Sequence, residues 1–462
     1  MDNAVYANRR DRLRKRVSGP ILLVGNGERS RNLPMNKVPY RQDSTLLYFT
    51  GCRHPGAAAL LDDDGFTLFL PEPADDDALW HGHVTSLEEH AQTFAADQAR
   101  PRRELARALS GRRVRTLAVA DELTNRELSE LTGTPLRFGS DHGDEALMDA
   151  VIDMRRRKDA HEIEAIKTAA RHTEVAFDAV IRGTRPGGHE RALTALFEGV
   201  LAARGLATGY DTILSQSGEV LHNHAHEDVL ESGRMVLLDG GGEVRSGYGV
   251  DITRTWPVDG TFTDRQRSAY QAVLAAQKAG IDTARKGVRN RAVHDASSRV
   301  LTEWLVDEGF IKCSVDDAFA RHAHALFFPH GIGHHLGLDV HDLENFGDRA
   351  SYPAGQGRPD FFGTRYLRMD LPLEVDWVIT VEPGFYVVPA ILEDQALVTR
   401  FEDIVDFDRA RSWYGFGGIR IEDDLRITEG AAEVLTAVPK SLDDIEAMVG
   451  TATSAEERLC FT

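Results

Sequence analysis

The chain has 462 residues, 42% hydrophobic and 27% charged, a composition typical of a soluble globular protein with more than one domain. Its 73 acidic residues outnumber the 54 basic ones, and the net charge of −19 argues against a nucleic-acid partner, which needs a basic surface. No apolar run reaches the length of a membrane span, and the basic N-terminus lacks the apolar stretch of a signal peptide. We therefore expect a cytoplasmic protein without membrane contact. The three cysteines are widely separated, which favours reduced thiols.

The first part of the chain mixes strand-like runs with helical segments. The apolar run Ile21 to Val24 predicts a buried strand, and residues 57–70, AAALLDDDGFTLFL, predict a β-hairpin that turns at Asp64-Gly65. A domain boundary is predicted near residues 155–158, a basic cluster. We expect an N-terminal domain of residues 1–155, a larger domain of residues 156–445 and a tail of residues 446–462.

Helical patterns open the larger domain and then alternate with strand-like segments. Asp159 and Glu162 have the spacing of a helix capping box, and the apolar residues that follow recur at helical period. A second amphipathic pattern ends near Gly205, and two more helices are predicted near 264–285 and 291–308. The sequence therefore predicts an α/β (α+β) protein.

Two aspartates flank a glycine-rich connection between strand-like runs. In residues 236–258, VLLDGGGEVRSGYGVDITRTWPV, Asp239 ends an apolar strand and Asp251 lies in a second β-rich run. Such a ribbon can bring two carboxylates from neighbouring strands to one point, although two aspartates at a hairpin are also an ordinary surface feature.

Histidines concentrate in residues 327–342, FFPHGIGHHLGLDVHD. His330, His334, His335 and His341 lie within twelve residues, spaced by glycines that disfavour a helix. We expect a functional site on extended or irregular backbone rather than a helical zinc motif.

Two glutamates interrupt strands that should be buried. Glu382 follows the apolar run in WVITVEPGFY, and Glu422 lies within GFGGIRIEDDLRIT. An ionised glutamate is seldom buried without a counter-charge or a metal. Four carboxylates and an imidazole suit hard or borderline divalent ions, and two such ions would neutralise four converging negative charges.

At these four segments the chain resembles the pita-bread metallopeptidases, in particular the aminopeptidase P and prolidase group. Residues 40–51, YRQDSTLLYFTG, and 68–82, LFLPEPADDDALWHG, resemble that group's N-terminal domain. The resemblance implies a small mixed α/β N-terminal domain and a C-terminal pita-bread (creatinase/aminopeptidase-like) domain. It also implies hydrolysis of the bond between an N-terminal residue and a following proline.

The resemblance implies a five-residue ligand set for two divalent ions. We expect Mn²⁺, with Co²⁺ or Zn²⁺ as alternatives. The interval of twelve residues between the two aspartates is one longer than the resemblance leads us to expect. The extra residue lies within residues 240–249, GGGEVRSGYG, where a bulge would keep both aspartates facing inward. The implied ligands are Asp239, Asp251, His334, Glu382 and Glu422.

Further residues match the family's catalytic and substrate-contacting positions. Glu382 is implied as the proton carrier, assisted by His330 and His341. His222 and Arg420 are implied to contact substrate or orient the site. Trp80 matches a tryptophan that reaches a partner subunit's active site, which implies a homodimer or homotetramer.

The sequence favours a dipeptide substrate over a longer peptide with proline at position two. Arg368 lies fourteen residues before Glu382, where prolidases place an arginine for the carboxylate of proline. The forty-residue interval from Glu382 to Glu422 is prolidase-like, and residues 391–413 could wall off that side of the site. Aminopeptidase P activity on longer peptides is the first alternative. A non-catalytic pita-bread binding protein is a more distant one, and metal content separates it from an enzyme.

Overall fold

The computed structural model describes residues 2–459, which divide into two compact units. One unit contains the residues up to Arg156 together with Asn345–Gly347, and the other contains Arg157–Glu344 and the residues from Asp348 onward. Among the described residues no helix has the length and apolarity needed to cross a bilayer. Cys52 and Cys313 are free thiols, whereas Cys460 lies outside the described residues.

A five-stranded sheet forms the centre of the first unit. In spatial order its strands are Gln98–Pro101, Gly65–Leu70, Ala58–Asp62, Ile21–Val24 and Arg115–Thr116. The predicted hairpin is present, because Ala58–Asp62 pairs antiparallel with Gly65–Leu70. Asp62 pairs with Gly65, so the turn consists of Asp63 and Asp64, one position earlier than predicted. A short hairpin joins Ser30–Leu33 to Asn36–Lys37. The helices of this unit are Asn3–Arg16, Ser44–Thr50, Asp77–His81, Leu87–Thr93, Leu105–Leu109, Glu122–Thr132 and Glu145–Arg156, with a 3₁₀ turn at Arg102–Glu104.

The second unit opens with the predicted capping box. The Asp159 side chain accepts from the amides of His161 and Glu162, and the Glu162 side chain accepts from the Asp159 amide, so the first helix begins at Ala160. Its buried stripe includes Ile166 and Phe177, as the helical period predicts. The helices of this unit are Ala160–Gly183, Glu190–Ala203, Asp264–Thr283, Asn290–Asp307, Val315–Ala320, Pro389–Leu392, Gln395–Phe401, Phe407–Arg411, Leu442–Met448 and Ala455–Arg458, with a 3₁₀ segment at Ala323–Leu326. A second 3₁₀ segment, Glu344–Ala350, includes the residues Asn345–Gly347 that belong to the first unit.

Short antiparallel ladders carry the acidic segments of the second unit. The strand Met235–Asp239 pairs on one edge with Ile213–Ser215 and on the other with Thr253–Pro257. Asp423–Arg426 pairs with Val378–Val381 and with Glu433–Val434, and Gly384–Tyr386 pairs with Gly418–Arg420. A further two-stranded ladder joins Ala207–Thr208 to Gly242–Glu243. The buried strands therefore end or break at the acidic positions singled out in the sequence.

Candidate active site

The first two carboxylates lie diagonally across one hairpin. Asp239 pairs with Thr253, and further along the same hairpin Glu243 pairs with Gly249. Asp251 lies two residues before Thr253, so the strand period returns its side chain to the face that Asp239 occupies. Both aspartates are buried on that shared face.

The hairpin has no bulge between these aspartates. Four steps separate Asp239 from Glu243 and four separate Gly249 from Thr253, so neither strand carries an extra residue between the two pairings. Five residues form the connection between Glu243 and Gly249, and the register that this connection sets places both aspartates on one face.

The histidine segment lies extended beside the strand Val378–Val381. The Thr380 amide donates to the His334 carbonyl at 3.0 Å, and the Glu382 amide donates to the Ile332 carbonyl at 2.8 Å. Gly333 is required here, since a Cβ atom at that position would lie 2.1 Å from the Thr380 carbonyl oxygen. Extended backbone with an essential glycine agrees with the sequence analysis, which argues against a helical motif.

The His334 ring is oriented by its own backbone. Its Nδ1 lies 2.9 Å from the His335 carbonyl oxygen, which places the proton on Nδ1 because a carbonyl only accepts. Nε2 then faces the acids, 3.3 Å from Asp251 Oδ2 and 3.8 Å from Glu382 Oε1. A carbonyl that fixes the tautomer in this way is typical of metal-binding histidines.

All five implied ligands come together in the structure. They form overlapping groups in which one potential ligand atom of each residue lies within 4.8 Å of the others. One group joins His334 to Glu382 and Glu422, and another joins Glu422 to both aspartates. His341 belongs to a third group with Asp251 and His334. Residues distant in sequence thus share one small volume, as the ion hypothesis requires.

The acids of this cluster oppose one another's ionisation. Burial is the largest cause that raises the pKa of Glu382 to about 7, and burial together with the Asp251 charge raises that of Asp239 to about 6. Burial and the charges of Asp251 and Glu382 hold the pKa of Glu422 well above its usual value. Burial acts in the same direction on Asp251, but the hydrogen bond and charge of His334 outweigh it and lower the pKa to about 2.

The donor set fits divalent cations. Glu422 Oε1 is buried and has no hydrogen-bond partner among residues 2–459, although its other oxygen accepts from Thr253 Oγ1 at 2.7 Å. An orphaned buried carboxylate oxygen is costly, and a cation beside it would remove the cost. Oxygen ligands with a single imidazole suit Mn²⁺ or similar ions better than soft metals.

Tyr210 completes the acidic cluster, and the sequence analysis did not identify it. Its hydroxyl lies 2.6 Å from Asp239 Oδ1 and 2.5 Å from Asp251 Oδ1. A hydroxyl carries one proton and can donate to only one of the two oxygens at a time. No motif surrounds this tyrosine, and only the tertiary contact reveals it.

Arg420 donates hydrogen bonds to residues of the acidic cluster and to their neighbours. Its guanidinium donates to Asp239 Oδ2 at 2.5 Å, to Thr253 Oγ1 at 3.0 Å and to the Tyr386 hydroxyl at 3.0 Å. Thr253 in turn donates to Glu422. The arginine therefore orients two of the implied ligands, one of the two roles that the resemblance suggested for it.

The two other implied catalytic histidines have different partners. His330 Nδ1 lies 2.8 Å from the Gly331 carbonyl and Nε2 lies 2.8 Å from the Tyr386 hydroxyl, and burial lowers the pKa of His330 to about 3. His341 Nδ1 lies 3.2 Å from Glu344 Oε2, and burial is the largest cause that lowers its pKa. Both rings are therefore neutral at pH 7.

A cavity of about 360 Å³ opens onto the cluster. Its size is that of a small-ligand pocket. His222 and Arg368 line it as the sequence analysis expects, and Arg358 and Tyr366 line it without having been identified there. The implied ligands and the predicted substrate groups of this unit therefore face one space.

Residues 391–413 contain parts of three short helices, and none of them is among the described residues that line the cavity. Trp80 lies in the other unit, on the helix Asp77–His81, where its side chain is 60% exposed.

Comparison with known proteins agrees with this geometry. Residues 164–429 match the model of metallopeptidase family M24, and residues 6–116 match the aminopeptidase P N-terminal domain. The human Xaa-Pro dipeptidase is 31% identical over 96% of this chain and 93% of its own length. A probable Xaa-Pro aminopeptidase of Aspergillus clavatus is 30% identical over 95% of both chains.

Solved structures that are similar to this chain also include aminopeptidases P. Aminopeptidase PepP of Pseudomonas aeruginosa aligns with a TM-score of 0.80 at 29% identity, covering 97% of this chain and 98% of its own. Aminopeptidase P from E. coli with the inhibitor Pro-Leu aligns with a TM-score of 0.81 at 28% identity, with the same coverage. The expected fold class, an N-terminal aminopeptidase P-like domain followed by a pita-bread domain, is confirmed. The family match spans more than half of the chain and includes every implied ligand, so this protein belongs to metallopeptidase family M24.

Proposed function

We propose that this protein is an exopeptidase that hydrolyses the bond between an N-terminal residue and a following proline. The observation that carries the proposal is the convergence of four carboxylates and one imidazole on a cavity of about 360 Å³. The names of the relatives support the substrate class, since they include Xaa-Pro dipeptidases and Xaa-Pro aminopeptidases.

The proposed cofactors are two divalent ions, with Mn²⁺ preferred and Co²⁺ or Zn²⁺ as alternatives. The proposed ligands are Asp239, Asp251, His334, Glu382 and Glu422. When bound, such ions supply Lewis acidity, which polarises a carbonyl and lowers the pKa of water. Elemental analysis of protein purified without chelators tests this proposal, and fewer than one ion per chain after incubation with excess Mn²⁺ would contradict it.

The side chains of the site supply proton transfer and orientation. We assign Glu382 as the proton carrier between the attacking water and the leaving proline nitrogen, because its carboxylate belongs to the acidic cluster and also lines the cavity. His341 is assigned to the scissile carbonyl. His330 is held between the Gly331 carbonyl and the Tyr386 hydroxyl, so its part is to position neighbouring groups.

Two substrate classes follow from different observations. A dipeptidase is favoured by Arg368, which faces the same cavity as the cluster and could hold the free carboxylate of proline. An aminopeptidase acting on longer peptides is favoured by solved structures that align over 97% of this chain and are named aminopeptidase PepP and aminopeptidase P. We propose the dipeptidase first.

The deciding experiment compares hydrolysis of Gly-Pro and Gly-Pro-Gly by the protein with added Mn²⁺. A higher kcat/KM for the dipeptide supports the dipeptidase, and equal or faster cleavage of the tripeptide supports the aminopeptidase. Cleavage of neither peptide would remove the Xaa-Pro proposal altogether.

Assembly, location and domain limits are part of the proposal. We propose a homodimer or homotetramer in the cytoplasm, with Trp80 completing the active site of a partner subunit. The exposure of its indole supports a contact role. The proposed domains are residues 1–155 and 156–445, followed by the tail 446–462. Sedimentation of the native chain tests the assembly, and a monomer at all concentrations would contradict it.

A further inference from the structure

Arginines that border the cavity each hold a carboxylate of the chain itself. When a peptide's C-terminal carboxylate enters the cavity, every arginine among the described lining residues therefore already has an acidic partner. The three pairs are Arg420 with Asp239, Arg358 with Asp348 and Arg368 with Glu344.

The pair of Arg368 and Glu344 is the one placed to meet a substrate. Arg368 Nη1 lies 3.0 Å from Glu344 Oε1 and 2.9 Å from Oε2. The two side chains are 32% and 25% exposed, unlike the buried pair of Arg420 and Asp239, and Arg368 itself lines the cavity. A soluble carboxylate can reach this guanidinium without opening the protein core.

Glu344 is held on a second side by His341. The Glu344 Oε2 atom that accepts from Arg368 also lies 3.2 Å from His341 Nδ1. The Glu344 carboxylate therefore links Arg368, the proposed binding group for the substrate carboxylate, to a histidine beside the acidic cluster. These two contacts hold the negative charge of Glu344 next to Arg368, where the end of an incoming peptide would bind.

A dipeptide and a longer peptide respond differently to that charge. The proline of a dipeptide ends in a carboxylate, which must either displace Glu344 from Arg368 or share the guanidinium with it under like-charge repulsion. A peptide that continues beyond proline presents a neutral amide there. The Glu344 charge therefore penalises the first substrate and not the second.

We propose that Glu344 is a specificity-determining residue that competes with the substrate's C-terminal carboxylate for Arg368 and so sets the ratio of dipeptide to longer-peptide cleavage. This inference rests on the proposed Xaa-Pro exopeptidase function. Glu344 competes for Arg368 whether the protein acts mainly on dipeptides or on longer peptides.

The variant Glu344→Gln removes the competing charge and keeps the size of the side chain. We expect its ratio of kcat/KM for Gly-Pro to kcat/KM for Gly-Pro-Gly to rise about tenfold, mainly through a lower KM for the dipeptide. The matched control is Glu374→Gln, which removes a carboxylate paired with Arg157, an arginine that does not line the cavity, and it should leave the ratio unchanged. An unchanged or reduced ratio in Glu344→Gln overturns the inference.

A second background tests whether the effect passes through the arginine. In Arg368→Met, adding Glu344→Gln should alter the ratio less than about twofold, because the group for which the two carboxylates compete is gone. An undiminished tenfold effect in that background would show that Glu344 acts on another group and overturn the inference.

A binding measurement separates this inference from the proposed function. Calorimetry with L-proline and L-prolinamide compares ligands that differ in carrying a carboxylate, and it needs no turnover. We expect Glu344→Gln to bind L-proline about tenfold more tightly than the native protein, with L-prolinamide within about twofold. That result supports the inference even if neither peptide is cleaved and the exopeptidase proposal fails. Equal affinities for L-proline, or no detectable binding to either protein, overturn it.

Discussion

At the scale of single residues, the contacts of Tyr210 matter more than its place in the sequence. Its hydroxyl bridges one oxygen of Asp239 and one of Asp251, two buried acids that repel each other. A group that holds metal-ligating carboxylates in place typically contributes to metal affinity without touching the metal. Tyr210 is therefore a positioning residue for both aspartates.

The variant Tyr210→Phe should weaken Mn²⁺ binding by about tenfold, because the aspartates lose the hydroxyl that orients them. Isothermal titration of the metal-free protein with Mn²⁺ measures the change. Tyr414→Phe, which loses a hydroxyl contact with Glu393 at 3.2 Å instead, serves as the control and should bind as the native protein does. Equal Mn²⁺ affinity in Tyr210→Phe would remove it from this role.

Glu382 is the residue on which the proposed chemistry depends most. Glu382→Gln should lower kcat for Xaa-Pro peptides by at least about a hundredfold, because an amide cannot carry the proton. The thermal melting curve of the metal-free variant shows whether the fold is retained. Glu393→Gln, on a residue that does not line the cavity, is the matched control. Substantial turnover by Glu382→Gln would show that another group carries the proton.

At the scale of elements, one buried ion pair joins two strands that each begin just after a proposed ligand, Asp251 in one case and Glu422 in the other. Arg254, in the strand Thr253–Pro257, donates to Asp423 Oδ1 at 2.7 Å and to the Glu422 carbonyl at 2.6 Å. Both charged side chains are 0% exposed. The pair therefore holds the hairpin that bears Asp251 against the backbone of Glu422.

Arg254→Met should destabilise the protein by about 3–5 kcal/mol, since it removes the fully buried cation that pairs with Asp423 and that donates to the Glu422 carbonyl. Urea unfolding followed by circular dichroism measures this loss. Lys286→Met breaks an exposed pair with Glu429 and should cost at most about 1 kcal/mol. If the free energy of unfolding falls by a similar amount in the two variants, the buried pair stabilises the protein no more than the exposed pair does.

At the scale of the whole molecule, the acidic cluster makes stability depend on pH and on metal together. In the metal-free protein the pKa of Asp239 is raised to about 6 and that of Glu382 to about 7, above their usual values. The folded state therefore binds more protons than the unfolded state across this range. The stability that these groups contribute is present below their unfolded pKa values and is lost as the pH rises through the folded values.

We accordingly expect the increase in Tm caused by Mn²⁺ to be small at pH 5 and to grow up to about pH 8, because deprotonation exposes the repulsion that the ions cancel. Melting curves in chelator and in excess Mn²⁺, recorded at each pH, measure the difference directly. Taking the difference at each pH removes the general effect of the net charge of −19. A Tm increase that is constant or that shrinks with pH would contradict the assigned cluster.

Local patterns in the sequence predicted several elements correctly. The apolar strands before Asp239 and Glu382, the capping box at Asp159 and the hairpin of residues 57–70 all depend on residues close together in the chain. The position of the extra residue between the two aspartates could not be predicted in the same way. It depends on the register of the hairpin, in which five residues connect Glu243 to Gly249, and that register is fixed by the pairing of the strands.

What the sequence determined by itself is therefore the set of strands and turns, and which of them carry metal-seeking side chains. Only the tertiary structure decided that Tyr210 lies between two aspartates and that Glu344 pairs with Arg368. The physical reason is that hydrophobic periodicity and capping act within a few residues of the chain. The charge balance of a buried site depends instead on which distant side chains the packed fold brings within hydrogen-bonding distance.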